Sequence, residues 1–272
     1  MARARRFDWD NLRLRIASGV ILGAAALAIT LWAGDAVFMV MVAVAASVLS
    51  VEWAVMAARA GPARLAVIMT AAVLGAVFLT YIGHPAAAWA MVLFGTLAAA
   101  VASHGVTARR ADAAYGVLYV APACMAIVWL HGTRQGEGWT VMLLATTWAA
   151  DVFAFAVGNA LKGPKLWPRY SPNKTWSGFF GGLVGAAAVA VAVAAGLMHL
   201  SLAGAALIGL AAGLATMMGD LWESMLKRRF GVKDSGDLIP GHGGLLDRVD
   251  GLMFGAIVFA AARMIVRLGW AH

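Results

Sequence analysis

Nine apolar segments follow one another along the chain, and short polar stretches separate them. Each segment holds about the 20 residues that an α-helix needs to cross the hydrocarbon of a bilayer. The predicted spans are residues 14–33, 36–58, 64–82, 86–103, 113–131, 139–161, 178–199, 202–225 and 251–269. This pattern predicts an all-α, polytopic integral membrane protein with about nine transmembrane helices.

The composition excludes an ordinary soluble domain. Hydrophobic residues make up 62% of the 272 and charged residues 12%, whereas soluble domains carry about 25% charged residues. No polar stretch between the spans is long enough to form a separate soluble domain. We therefore predict a single transmembrane domain over residues 1–272. Its spans one to five lie in residues 1–135, and spans six to nine, which carry the candidate chemistry, lie in residues 136–272.

Positive charge is distributed unevenly between alternate connections. If the N-terminus is cytoplasmic, 18 of the 21 lysines and arginines fall on the cytoplasmic side, as the positive-inside rule expects. The exceptions are Arg134, Arg263 and Arg267. This placement indicates that the net charge of +8 serves membrane topology and contact with anionic lipid, and not the binding of nucleic acid. We predict a multi-pass protein of a bacterial-type inner membrane, with a cytoplasmic N-terminus and a candidate site in a cytoplasm-facing cavity.

The end of span eight carries four polar side chains at helical spacing. Asp220, Glu223, Ser224 and Lys227 occupy positions i, i+3, i+4 and i+7, so a helix places them on one stripe. Carboxylates at membrane depth are costly, and they usually face a cavity, a partner or a metal ion. For Glu223 and Lys227 alone, an ion pair at the helix end is the simpler alternative.

The connection between spans eight and nine is rich in glycine and cannot continue the helix. Such a turning loop exposes backbone N–H groups that can hold phosphate oxygens. Lys233 and His242 add two further donors to this segment. The connection therefore predicts a phosphate-binding loop.

The start of span nine carries a second pair of acids. Asp247 and Asp250 share one helical face, with Arg248 between them in sequence. Carboxylate oxygens are the ligands that Mg²⁺ takes, and it leaves other positions for substrate phosphates. The predicted metal ligands are therefore Asp220, Asp247 and Asp250. Helix capping by Asp247 or Asp250 is the alternative for one of the two.

The connection after span six is a second candidate site. Its sequence LKGPKLWPRYSPNKT carries four basic residues beside the N-terminus of the next helix. This arrangement suits an anionic head group or a nucleotide phosphate, with Ser171, Lys174 and Thr175 as the candidate ligands. A loop whose positive charge only sets topology is the alternative. Within span six, Asp151 is a functional candidate because an isolated membrane aspartate is costly, although a polar helix–helix bond would also explain it.

These motifs resemble those of a known family. SMLKRRFGVKDSGDLIPGHGGLLDRVD, residues 224–250, resembles the signature of the CDP-diacylglycerol synthases, also called phosphatidate cytidylyltransferases. SPNKTWSG and ADVFAFAVG are similar to two further family segments and depart from them at Ser177, where glutamate is usual, and at Phe155, where tyrosine is usual. The resemblance covers motifs of the C-terminal half and only the general character of the first five spans.

The resemblance implies a nucleotidyltransferase that joins CTP and phosphatidic acid to give CDP-diacylglycerol and pyrophosphate in phospholipid biosynthesis. It suggests membrane lipid as a partner, a homodimer, and Mg²⁺ as the cofactor, with a second monovalent cation such as K⁺ as an open alternative. The expected catalytic residues are Asp220, Lys227, Lys233, Asp247 and Asp250. The expected substrate-binding residues are Asp151, Ser171, Lys174, Thr175, Ser224, Arg228, Asp234, His242, Gly243, Gly244 and Arg248.

Two other functions are weighed against this interpretation. A CTP-dependent lipid kinase would also handle CTP beside lipid, but it would release CDP in place of pyrophosphate. An ion-coupled transporter would use Asp151, Asp220 and Glu223 as an ion path. The charge of this chain gathers at one membrane face and not at the midplane, and no internal repeat of the transporter kind is evident.

Overall fold

The chain folds into a bundle of long helices with one short hairpin. A computed structural model describes residues 9–58, 61–107, 109–198, 200–236 and 243–268. Within these residues the helices are α1 Trp9–Trp32, α2 Asp35–Ala57, α3 Pro62–Tyr81, α4 Pro85–Ala102, α5 Arg110–His131, α6 Gly136–Leu161, α7 Trp176–Leu197, α8 Leu202–Phe230 and α9 Leu246–Arg267. The strands β1 Lys165–Trp167 and β2 Ser171–Thr175 pair antiparallel between α6 and α7.

The predicted all-α membrane class is confirmed. Among the described residues, the eight helices α2 to α9 are long and apolar enough to cross a membrane. In α1, the apolar part of the helix within the described residues is shorter and spans Gly19–Trp32. Most helix ends lie within about three residues of the predicted ends, and the larger differences are at the start of α1 and around the connection between α8 and α9.

Helix α8 continues five residues beyond its predicted end, to Phe230. Its last turns carry Glu, Lys and Arg, which interrupt an apolar run but are good helix formers. Gly231 then ends the helix with a left-handed backbone at φ 67°, a conformation in which glycine has no steric penalty. The hydropathy pattern therefore marks the end of the predicted span, while the helix itself carries the charged side chains further.

The helices form two neighbouring groups. Helices α2 to α5 pack against one another, as do α6 to α9, and α5 joins the groups by packing against α9. Helix α5 is the most central of the helices. In its apolar 18-residue segment 67% of the residues are buried inside the protein, compared with 28% in the corresponding segments of α4, α7 and α9. The apolar surfaces that α4, α7 and α9 leave exposed suit contact with lipid.

Side-chain contacts bring alternate connections to one end of the bundle. Arg229, at the end of α8, forms an ion pair with Asp112 in the first turn of α5. Lys174, on β2, forms an ion pair with Asp220 of α8. Glu52, near the end of α2, contacts the connection between α8 and α9. The connections after α2, α4, α6 and α8 therefore share one end, as the predicted alternation of spans requires.

Glu52 holds the two sides of the connection between α8 and α9 together. Its side chain is 7% exposed. Oε1 accepts a hydrogen bond from Leu245 N at 2.7 Å, and Oε2 accepts one from Leu246 N at 2.8 Å. Oε2 also lies 3.1 Å from Ser235 Oγ. A Cβ at Gly244 would lie 2.0 Å from Ser235 Oγ and 2.7 Å from Glu52 Oε2, so only glycine fits at this position.

We predict that Glu52→Gln destabilises the protein. The amide would place N–H donors against backbone N–H donors, and lost hydrogen bonds to a charged group cost about 2 kcal/mol. Thermal unfolding of the detergent-solubilised protein should show a lower midpoint than the wild type. Glu137→Gln, on the exposed first turn of α6, is the matched control and should keep the wild-type midpoint. Equal midpoints for the two variants would show that Glu52 does not hold the connection.

Candidate functional site

A cavity of about 760 Å³ lies among α6, α7, α8, α9 and the hairpin. The acidic residues on its wall are Asp151, Asp220, Glu223, Asp234, Asp247 and Asp250. The basic residues on its wall are Lys165, Lys174, Lys227 and Arg248. The structure thus brings together charged residues from both predicted sites, which lie far apart in the sequence. The two polar connections contribute to one cavity and do not form two separate sites.

The predicted stripe of α8 supplies one wall. Asp220, Glu223 and Lys227 line the cavity, whereas Ser224 is not among the residues that line it. Lys227 Nζ lies 2.6 Å from Glu223 Oε2 and 2.6 Å from Asp247 Oδ1. The ion pair considered as an alternative for Glu223 and Lys227 is therefore present, and it extends to the next helix. Glu223 is 2% exposed, and within the described residues its Oε1 has no hydrogen-bond partner.

The two carboxylate oxygens of Asp247 have different partners. Oδ2 accepts hydrogen bonds from Ser235 N at 2.9 Å and Gly244 N at 2.9 Å, and Ser235 Oγ lies 3.0 Å away. These bonds fix the connection before α9. They are not the N-cap that was the alternative for Asp247, because Leu245 is the N-cap of α9 and its side chain makes no capping hydrogen bond. Oδ1 meets Lys227 on the cavity wall. Asp247 therefore supports the loop with one oxygen and presents the other to the cavity.

The hairpin covers the cavity from the side of the connection after α6. Lys174 lines the cavity and forms its ion pair with Asp220 there. Thr175 is buried, and its Oγ1 accepts a hydrogen bond from Gly178 N at 3.2 Å, so it is the N-cap of α7. Ser171, at the start of β2, is not among the residues that line the cavity. Lys174 and Thr175 therefore both line the cavity, and Lys174 supplies the positive charge from β2.

Sequence reasoning left Lys165 out of the site and assigned no role to Phe155. Lys165, on β1, lines the cavity because β1 pairs with β2, and Lys165 is opposite Thr175. Phe155 also lines the cavity and is 73% exposed. The second departure from the family pattern, Ser177, lies in the first turn of α7, where its hydroxyl donates to the backbone oxygen of Lys162. The four basic residues of this connection were visible in the sequence, but only the strand pairing selects which of them face inward.

Other predicted residues lie elsewhere. Arg228 is exposed in the last turn of α8, and Lys233 is exposed just after that helix. Among the described residues, neither lines the cavity, and neither do Gly243 and Gly244. The predicted phosphate donor His242 lies outside the described residues. The roles assigned to these residues stay predictions.

The predicted Mg²⁺ site can be compared with the donors on the wall. In the part of the chain that the structure describes, no three acidic, histidine or cysteine side chains are already gathered as metal ligands. However, Asp151, Asp220 and Glu223 lie close enough to Asp250 for their negative charges to repel it. Together with the unpartnered Glu223 Oε1, these hard oxygen donors have the chemistry that suits a divalent cation. The metal assignment to Asp220, Asp247 and Asp250 stays a prediction.

Comparisons with known proteins agree with the resemblance seen in the motifs. The cytidylyltransferase family matches residues 13–266 of the chain. A phosphatidate cytidylyltransferase of Brucella abortus is 37% identical over 259 residues, which cover 91% of each chain. Proteins of the same name from Pseudomonas aeruginosa and Staphylococcus epidermidis are 37% and 39% identical over 161 and 146 residues, covering 57% and 53% of this chain. This chain therefore belongs to the cytidylyltransferase family.

Proposed function

We propose that this protein transfers CMP from CTP to phosphatidic acid and releases pyrophosphate, forming CDP-diacylglycerol. The observation that carries the proposal is the cavity at one end of a membrane-spanning bundle, whose wall combines six acids with four basic residues. Such a wall can neutralise two polyanionic substrates where water meets lipid. The family membership and the names of the relatives support the same reaction.

The reaction needs charge neutralisation more than proton transfer. The phosphate of phosphatidic acid is already largely dianionic near pH 7, because its second pKa is about 6. One of its oxygens attacks the α-phosphorus of CTP, and the bond from that phosphorus to the oxygen of pyrophosphate breaks. Lys174 and Arg248 would hold the lipid phosphate. Lys227 would stabilise the negative charge that develops on the leaving pyrophosphate.

Mg²⁺ would be held by Asp220 and Asp250, with Asp247 presenting Oδ1 to the same cavity. When bound, the ion supplies Lewis-acid neutralisation of the triphosphate. The basic residues then need to balance only the remaining charge, and Asp151 would add a fourth acid to the wall. A monovalent cation such as K⁺ stays an alternative for a second position.

The acyl chains of phosphatidic acid would enter from the side that faces lipid. Phe155, Phe179 and Met217 form an apolar part of the cavity wall, and Phe155 is largely exposed at the bundle surface. A cavity that opens beside them lets the head group reach the charged residues while the chains stay in the bilayer.

The homodimer stays a prediction.

The protein should incorporate label from radioactive CTP into lipid when phosphatidic acid and Mg²⁺ are present. Purified protein in detergent would be assayed for lipid-borne label and for released pyrophosphate. Equal amounts of both products are expected, and removal of the metal by a chelator should stop the reaction. Release of CDP would identify a lipid kinase instead, and the absence of lipid-borne label would end the proposal.

Asp250→Asn should lower transfer activity by about 100-fold or more, because it removes a carboxylate that would hold Mg²⁺, whose neutralisation of the phosphates is worth several kcal/mol. The Asn side chain keeps an acceptor for Gly251 N, which donates to Asp250 Oδ1 at 2.7 Å. Asp250 lies among the negative charges of Asp151, Asp220 and Glu223. Removing its own charge should therefore leave the thermal midpoint of the protein unchanged or raise it. Glu137→Gln, far from the cavity, is the control and should keep full activity. Turnover at the wild-type rate in Asp250→Asn would contradict its assignment.

The cavity end is proposed to face the cytoplasm of a bacterial-type inner membrane. In a Cys124→Ala background, Arg134→Cys should react with a membrane-impermeant maleimide on intact spheroplasts. Arg109→Cys, an exposed position at the cavity end, should react only after the membrane is permeabilised. The reverse pattern would place the cavity on the outer side.

A further inference from the structure

A second cavity, of about 550 Å³, lies at the opposite end of the bundle from the candidate active site. It forms where α2 begins and where α3, α5 and α9 end. Arg134, Arg263 and Arg267 line it. These are the three basic residues that depart from the positive-inside pattern. Topology does not account for their presence at this end, so another cause is needed.

The fold holds Arg263 in a fixed orientation. Its Nε donates to Thr133 Oγ1 at 3.3 Å, and its Nη2 donates to the backbone oxygen of Arg134 at 2.9 Å. Its guanidinium lies over the ring of Trp139, 5.4 Å from the centroid. A guanidinium has five N–H donors in a planar fork, so donors remain for a ligand. Arg263 is therefore positioned in advance and still has bonding capacity on the cavity wall.

The three arginines bring positive charge together without acidic partners. Arg134 and Arg267 lie close enough to Arg263 for their charges to repel. No ion pair joins any of the three to an acid among the side chains that the structure describes. Asp35, the acid on this cavity wall, lies 3.7 Å from His131 Nε2. Like charges one turn apart on α9 destabilise the helix unless an anion compensates them.

The wall also carries apolar and aromatic side chains. Phe38, Met39 and Val128 line the cavity, as do Trp129 and Tyr81. Trp and Tyr are enriched where a membrane meets water. A charged rim beside an apolar wall matches a molecule with an anionic phosphate and a hydrocarbon body.

We propose that this cavity binds the phosphate of an anionic phospholipid from the leaflet opposite the candidate active site. Arg263 forms charge-assisted hydrogen bonds with the phosphate oxygens, and Arg134 and Arg267 add charge at the rim. The apolar wall receives the start of the acyl chains. The proposal concerns a site separate from the reaction, so its success or failure leaves the proposed transfer activity untouched.

Native mass spectrometry of the full chain in detergent, titrated with phosphatidylglycerol, tests this site. The double variant Arg134→Gln/Arg267→Gln should bind phosphatidylglycerol about tenfold or more weakly than the wild type, because each surface arginine contributes about one factor of five. Neither side chain makes a hydrogen bond or ion pair to another described residue, so the variant should fold. Its thermal midpoint without lipid should equal or exceed that of the wild type, because the repulsion on Arg263 is removed.

The matched control is Arg109→Gln/Arg110→Gln, which removes the same charge from the exposed opposite end. It should keep the tight binding event, and phosphatidylcholine should not compete for that event in any of the proteins. Equal affinity of the wild type and Arg134→Gln/Arg267→Gln for phosphatidylglycerol would overturn the site. Inorganic phosphate that binds the same arginines as tightly as the lipid does would overturn the assignment to a phospholipid.

Discussion

Lys227 lies between two carboxylates, and the site depends on this arrangement. Its ammonium is within 2.6 Å of both Glu223 and Asp247, so it joins the end of α8 to the start of α9. An unpaired carboxylate in a buried, apolar setting costs several kcal/mol, whereas a shared cation offsets part of that cost. The two helix ends can therefore bring acids together on one wall only because a lysine stands between them.

Carboxylates also join separate parts of the chain in the connection between these helices. Asp247 accepts hydrogen bonds from Ser235 and Gly244, on the two sides of this connection. Glu52 accepts hydrogen bonds from Ser235, Leu245 and Leu246. Two acids thus fix the backbone of a loop that has little apolar side chain to bury. On the two described sides of the connection, the N–H groups of Ser235, Gly244 and Leu245 are satisfied by carboxylates that are themselves held by helices.

The positions of the helices could be predicted from the sequence because hydropathy is a local property. The predicted ends failed mainly where charge and helix coincide, as in α8, whose last turns run through Glu223 and Arg229 to Phe230. Four of the acids on the cavity wall, Asp220, Glu223, Asp247 and Asp250, were also indicated by the sequence, because i, i+3 spacing on one helix is local.

Contacts between distant parts of the chain were not visible in the sequence. Glu52 lies near the end of α2, and its partners lie 183 to 194 residues away along the chain. The hairpin was missed because proline and glycine in its segment indicate a loop, while its strands are only three and five residues long. Hence Lys165, which the hairpin turns toward the cavity, was not separated from the other basic residues of the connection.

The two ends of the bundle use charge in different ways. At the end with the candidate active site, acids and bases are interleaved, so the wall can take up both a cation and polyanionic phosphates. At the other end, arginines gather with little acid to balance them. A wall of mixed charge suits products that must leave after reaction, because the acids repel the phosphates that the basic residues attract. A wall with an excess of positive charge suits an anionic ligand that stays bound. The contrast in composition therefore supports the two proposed roles, turnover of substrates in one cavity and retention of a lipid in the other.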